Sequence, residues 1–338
     1  MSALWLLPAA AFASFCLTWL VRRYALSRQL IDVPGERSSH RTATTRGGGL
    51  AIVLTFLFGL SILHGAGLVP SSVLAAICGG GGLVALIGFV DDHRPVPAQW
   101  RLLAHFLGAA WALYWLGGAP AITGFAVPAW VFTGLAALWV VWLVNLYNFM
   151  DGIDGIASIE AITVCFGAAL LHFIAGTASD LWLAPALLLA SVAGFLYWNY
   201  PPARIFMGDA GSGFLGFVLA VFCIQAASVA AGVFWAWIIL LGVFVTDSSV
   251  TLARRMLRRQ KLHEAHRSHA YQYAARKHGT HERVSLAVGA INLVWLLPLA
   301  LLVASAFLDW KIGLPIAYAP LIWLAFRYKS GASETQEL

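Results

Sequence analysis

Aspartates are the residues of this chain best equipped for chemistry, and they come in groups. Asp91 and Asp92 are adjacent in GFVDDH, Asp151 and Asp154 stand three apart in NFMDGIDGIAS, and Asp209 sits in IFMGDAGSG. On a helix Asp151 and Asp154 would share one face, where two carboxylates repel each other. Capping accounts for a single aspartate at a helix end, but for neither the pairing nor the neighbouring glycines. A divalent cation would offset the repulsion. Mg²⁺ takes one or two carboxylates together with waters and phosphate oxygens, the usual arrangement in phosphoryl-transfer sites. Glycines beside the acids would let backbone approach bulky phosphates. GDAGSG would add amide donors at a helix start, although it matches neither a P-loop nor a dinucleotide fingerprint.

The elements that must position these acids are apolar helices. Of 338 residues, 60% are hydrophobic and only 11% charged, which excludes a soluble domain of this length. Segments able to cross a bilayer fall at about 3–21, 48–68, 71–90, 102–118, 128–149, 157–176, 181–199, 212–230, 232–252, 284–307 and 311–327. The expectation is therefore an all-α polytopic membrane protein of about eleven transmembrane helices, a single domain over 1–338. With the N-terminus outside, the inner loops fall at about 22–47, 91–101, 150–156, 200–211 and 253–283, and the C-terminus is also inside. That arrangement places 20 of the 21 lysines and arginines inside and only Lys311 outside, a strong positive-inside bias. The net charge of +6 then needs no nucleic-acid explanation, and the basic face suits anionic lipids or substrates. The basic residues follow the first apolar run, against a cleaved signal peptide.

On this layout, helices far apart in sequence deliver Asp91, Asp92, Asp151, Asp154 and Asp209 to one membrane face, with Asp247 about two turns before Arg254. Basic loops match them. The first, IDVPGERSSHRTATTRGGG, brings together Arg37, His40, Arg41 and Arg46; the loop before the eighth helix carries Arg204. The last large loop contains HRSHAYQYAARKHG, where a short helix is expected with Ser268 as N-cap and Gly279 past its end. Arg267 and His269 there would face a diphosphate and stabilise charge on the leaving group. His263, His266 and His269 lack the partners of a zinc site. The four cysteines show no metal or redox spacing and read as small apolar residues. Gly79–Gly82 would permit close helix packing, within one chain or between the two copies of a homodimer.

VPGERSSH, GFVDDH, NLYNFMDGIDGIAS, FMGDAGSG and HRSHAYQ, in this order on alternating inner loops, resemble the polyprenyl-phosphate N-acetylhexosamine-1-phosphate transferases of glycosyltransferase family 4. The resemblance runs from about residue 30 to 285. It implies transfer of a sugar 1-phosphate from a UDP-N-acetylhexosamine to undecaprenyl phosphate in the bacterial cytoplasmic membrane, releasing UMP, with Mg²⁺ or Mn²⁺ as cofactor. Carried over by position, Asp91 and Asp92 match the aspartates of the catalytic step. Asn148, Asp151 and Asp154 match the nucleotide-sugar motif, Asp209 the principal metal ligand with Asp92 beside it, and His269 the histidine of the last loop. Arg37, His40, Arg46, Arg204 and Arg267 complete the expected substrate contacts.

Two departures bear on the substrate. The peptidoglycan enzyme of the family has three successive histidines in the last loop, whereas His269 is followed by Ala270, Tyr271 and Gln272. DDHRP lacks the lysine often found after the aspartate pair, leaving Arg94 or Arg101 to replace it. HRSHAYQ is closer to the O-antigen branch, which points to UDP-GlcNAc, UDP-FucNAc or UDP-QuiNAc as donor rather than a muramyl-pentapeptide. The rival readings are a peptidoglycan-type transferase and a membrane transporter. A transporter would place its coupling carboxylates near the midplane beside broken helices. A CDP-alcohol phosphotransferase would need an Ala-Arg after Asp-Gly that DGIDGIAS lacks.

Overall fold

The computed structural model describes residues 2–35, 42–120, 128–174, 180–260 and 267–332. Over the described residues, every apolar segment identified in the sequence is mainly helical. The helices are α1 (Leu6–Ser27), α2 (Leu50–Gly65), α3 (Ser71–His93), α4 (Ala98–Leu116), α5 (Ala129–Met150) and α6 (Ile156–Ile174). They continue with α7 (Leu183–Asn199), α8 (Asp209–Ala227), α9 (Ala231–Leu240), α10 (Gly242–Leu257), α11 (Ala270–His278), α12 (His281–Ala304) and α13 (Trp310–Arg327). With no water in a bilayer core, a chain this apolar satisfies its backbone inside helices. Among the described residues six helices are long and apolar enough to span, or seven with α9 and α10 taken as one span bent by 67°. The segment read as one helix over 232–252 is that bent pair. α2 and α7 are apolar too but have only 16 and 17 residues.

The bundle is organised around α8. Almost every side chain from Ala210 to Ala226 is buried, and the helix packs on α2, α3, α5 and α9. Exposed Phe12, Phe58, Trp130, Phe173 and Val294 form the outward apolar surface that lipid requires. Of the four glycines Gly79–Gly82, the first two serve packing within the chain. A Cβ at Gly79 would strike the Trp111 indole, and one at Gly80 would meet Phe217 and the Gly108 carbonyl. One acid is buried deeper than the sequence reading anticipated. Glu160, in the second turn of α6, is fully buried and accepts from Asn292 Nδ2 at 2.7 Å.

The only paired strands among the described residues are β1 (Ile31–Asp32) and β2 (Thr44–Thr45), antiparallel to each other. From them the chain zips onto the segment before α8: Phe206 N donates to Thr45 O, Gly48 N to Phe206 O and Gly49 N to Met207 O. This ladder brings Arg46 beside the ends of α3 and α8.

α3 and α8 cross at Gly88, where a Cβ would overlap the Asp209 backbone, whereas one at Gly82 would meet nothing within 4 Å. Gly88→Val should destabilise the protein by about 1–3 kcal/mol through overpacking, seen as a lowered Tm in detergent. Gly82→Ala should keep the wild-type Tm. Equal stability of the two variants would show that the crossing tolerates separation.

Candidate active site

The acids gather where the C-terminal ends of α3 and α5 meet the N-terminus of α8. Asp92, in the last turn of α3, is 2% exposed and points at the first amides of α8. Its Oδ1 accepts from Asp209 N at 3.0 Å and its Oδ2 from Ala210 N at 3.3 Å. A carboxylate at a helix N-terminus satisfies otherwise orphaned donors and complements the dipole. Here it comes from another helix, so it also fixes the distance between the two. Gly208, at φ 78°, precedes α8, and a Cβ there would press into the Asp92 carboxylate at 2.6 Å.

Asp209 is held from two further sides. Asn148 Nδ2, from the last turn of α5, donates to Asp209 Oδ1 at 2.8 Å. Arg101, from α4, reaches Asp209 Oδ2 at 3.4 Å and Asp91 Oδ2 at 2.7 Å, bridging the two carboxylates. Asp91 Oδ1 also accepts from Val96 N at 2.6 Å. Of the two arginines considered as replacements for the family's lysine, Arg101 contacts the acids and Arg94 is exposed. Arg46 donates twice to the Asp92 carbonyl, at 2.7 and 3.1 Å, closing the end of α3.

The loop between α5 and α6 forms the opposite wall. Asp154 Oδ2 accepts from Ala203 N at 3.1 Å, and its Oδ1 lies 3.3 Å from His281 Nδ1. Asn199 Oδ1 accepts from Gly155 N at 3.1 Å while its Nδ2 donates to Ile205 O, tying this loop to the one before α8. Asp151 has no hydrogen-bond donor among the described residues. Burial, and the like charges of Asp209, Asp92 and Asp154, push its carboxyl well above the usual carboxylate range.

These groups enclose a cavity of about 230 Å³ lined by Asp92, Asn148, Asp151, Asp154, Asp209 and Arg46, with Asp32, Asn199, Ser212 and Gln272 among the other walls. A second cavity of about 400 Å³ adjoins it, sharing Asp154 and Phe206. The glycines of DGIDG also meet a packing requirement, and Gly152 lines the acidic cavity. A Cβ at Gly152 would collide with the Tyr271 hydroxyl, and Gly155, at φ 75°, makes the turn into α6. Gly152 thus makes room for Tyr271, and Gly155 supplies a left-handed backbone.

Six of the residues singled out in the sequence therefore share one cavity: Arg46, Asp92, Asn148, Asp151, Asp154 and Asp209. Asp91 lies behind it, linked through Arg101. Arg204 stands apart, its guanidinium over the rings of Tyr197 and Trp198 at 5.5 and 5.8 Å. Arg267 is not on the cavity wall. His269 is 1% exposed and turned toward Asp247, 3.5 Å from Nδ1 to Oδ1. Arg37 and His40 lie outside the described residues. The short helix in the last loop is present as α11, but its N-cap is His269 rather than Ser268, because Asp247 supplies the acceptor for the first amides. Sequence reading missed Asn199 and Gln272. Gln272 had a signal, since it occupies the N3 position of a capping box opened by His269.

Among the described residues no three His, Cys, Asp or Glu side chains form a ready-made metal cage. The donor set fits a hydrated hard cation instead, which needs one or two carboxylates and keeps its waters. Asp151, Asp154 and Asp209 line the cavity together with Asp92, both of whose oxygens already cap α8.

Because ionised Asp151 is disfavoured in the folded chain, its contribution to stability is full below the unfolded carboxylate pKa of about 3.9. It is lost as pH rises through the raised folded value. Asp151→Asn removes that loss. In metal-free detergent solution the Tm of the variant relative to wild type should climb from acid toward neutral pH. A constant difference across the range would contradict the burial of charge at Asp151.

Comparison with known proteins agrees with this arrangement. Residues 74–227 match Glycosyl transferase family 4, a span holding Asp91, Asp92, Asn148, Asp151, Asp154 and Asp209. The chain is 29% identical over 263 residues to a probable undecaprenyl-phosphate N-acetylglucosaminyl 1-phosphate transferase of Bacillus subtilis, covering 75% of this chain and 72% of the relative. It is 30% identical over 244 residues to the decaprenyl-phosphate N-acetylglucosaminephosphotransferase of Mycobacterium leprae, covering 66% of this chain and 60% of that relative, less than two thirds of its length. A phospho-N-acetylmuramoyl-pentapeptide-transferase of Rhodopseudomonas palustris is 28% identical over 255 residues, covering 63% of this chain and 69% of the relative. The aspartate motifs assembled around one cavity at the ends of membrane helices thus fall within the span that matches glycosyl transferase family 4.

Proposed function

We propose that this protein transfers an N-acetylhexosamine 1-phosphate from a UDP-sugar to undecaprenyl phosphate, releasing UMP. The observation that carries the reading is the acid-lined cavity at the meeting of α3, α5 and α8, built from the residues that the family match spans. Two of the relatives carry N-acetylglucosamine in their names, which favours UDP-GlcNAc as donor. The absence of three successive histidines at 269–271 favours a donor without the pentapeptide. The product would start a surface polysaccharide such as O-antigen.

The two cavities suit the donor, with the diphosphate at the acids and the nucleoside and sugar in the adjoining space beside Asp154. A third, apolar cavity of about 420 Å³ runs between α10, α11, α12 and α13, lined by Val243, Tyr271, Val288 and Leu321. It offers room for the first units of a polyprenyl chain. The attacking group is a phosphate monoester, with a second pKa of about 6 by analogy with phosphorylated side chains. It is already mostly dianionic at neutral pH and gains little from a strong base. The harder task is bringing two anionic phosphates together.

Direct attack on the sugar-bound phosphorus forms one P–O bond and breaks the one to UMP. Asp209 and Asp151 would hold Mg²⁺, which supplies charge neutralisation across the diphosphate when bound. Asn148 and Arg101 fix the Asp209 carboxylate from either side, Arg46 adds positive charge at the cavity, and Asp91 sets Arg101 in place. His269 acts from behind, through α11.

Purified protein with undecaprenyl phosphate, Mg²⁺ and a panel of UDP-N-acetyl sugars should release UMP, fastest with UDP-GlcNAc. Asp209→Asn should lower kcat by at least about a hundredfold with the protein still folded by gel filtration. Wild-type turnover in that variant would remove Asp209 from the reaction. UMP release from the muramyl-pentapeptide donor alone would replace the proposed donor by the peptidoglycan one.

A further inference from the structure

Beyond α13 the chain turns back onto the junction between α10 and α11. Ser330 is completely buried there. Its Oγ lies 2.6 Å from Thr251 Oγ1 and donates to Asp247 Oδ1 at 3.2 Å. Gly331 N donates to Ser268 O at 2.7 Å. Both carbonyls are gripped as well, that of Ser330 by Arg254 Nη1 and that of Gly331 by Arg258 Nη1 at 3.0 Å. Gly331 has φ 69°, and a Cβ on it would press on Thr251 O at 2.8 Å and Arg254 Cβ at 2.9 Å. Only glycine fits so close to α10.

Asp247 is the hub of these contacts. Besides Ser330 it accepts from Thr251 Oγ1 at 3.1 Å, Ala270 N at 2.9 Å and Tyr271 N at 3.0 Å, with His269 Nδ1 at 3.5 Å. One carboxylate thus caps α11 from the neighbouring helix. A nine-residue helix is too short to be stable on its own, so what holds its ends sets its place. α11 supplies Gln272 to the acidic cavity and Ala275 and Arg276 to the adjoining one. Its Tyr271 hydroxyl donates to Phe149 O at 2.9 Å, beside Gly152.

We propose that residues 328–332 form a clasp that positions α11 against the nucleotide-sugar side of the site, with Ser330, Thr251 and Asp247 as positioning residues. None of the three lines either of the two cavities assigned to the donor. The clasp acts on donor binding through Gln272 and Arg276, which rests on the assignment of the two cavities to the donor. Its hold on α11 does not depend on that assignment.

The test combines amide hydrogen exchange with steady-state kinetics on the full chain. Gly331→Val expels the clasp, Thr251→Val removes one hydroxyl at constant volume, and Thr251→Ser keeps that hydroxyl. Both valine variants should raise exchange in residues 269–276 by at least about tenfold, with α8 unchanged and Thr251→Ser like wild type. In the same variants KM for the UDP-sugar should rise by about fivefold or more while kcat stays within about twofold. Unchanged exchange at 269–276 would overturn the clasp whatever the activity. Faster exchange with an unchanged donor KM would reduce it to a structural brace and overturn the positioning role. Wild-type protein inactive with every UDP-sugar would overturn the proposed function, and exchange alone would then decide the clasp. Should the valine variants not fold, Ser330→Ala carries the same comparison.

Discussion

The site depends on one buried carboxylate. Asp92 ends α3 and caps α8, so the two helices cannot separate without leaving a carboxylate and two amides unsatisfied in an apolar interior. Asp209 follows directly, since its own amide is one of the capped donors. Gly88 and Gly208 permit that closeness by having no side chain at the crossing. The charge that looks most available for chemistry in the sequence is thus largely committed to architecture, while Asp151, Asp154 and Asp209 line the same cavity beside it.

Concentrating four aspartates around so small a space is destabilising by itself. The structure answers part of the cost with protein groups: Arg101 between Asp91 and Asp209, Asn148 on Asp209, Ala203 N and His281 on Asp154. Asp151 is left without such a donor among the described residues, and its carboxyl is held toward the neutral form. Under the proposed function a cation entering with the diphosphate would relieve a repulsion that folding has imposed. The strain and the proposed function share a location.

The same device appears twice. Asp247 caps α11 from α10 much as Asp92 caps α8 from α3, in each case joining a helix to a neighbour by its first amides. In a bundle where apolar surfaces meet lipid as readily as one another, directional bonds of this kind fix the relative placement that hydrophobic packing leaves loose. That explains why acids outside the acidic cavity, such as Asp91 and Asp247, are still held by several donors from neighbouring segments.

The sequence by itself determined the helices, because a run of apolar residues has no other way to satisfy its backbone in a membrane. It also determined the grouping of Asp92, Asn148, Asp151, Asp154 and Asp209, since acids and glycines at the ends of such runs are legible locally. Only the tertiary structure decided which acid does what. Whether a carboxylate caps a helix, pairs with arginine or faces a cavity depends on neighbours more than a hundred residues away, as Asp92 and Asp209 show. Gly152 gave no sign that Tyr271 would occupy its side-chain space, and His269 none that it would turn inward to Asp247. Those choices rest on side chains meeting across helices, which no spacing along one chain encodes.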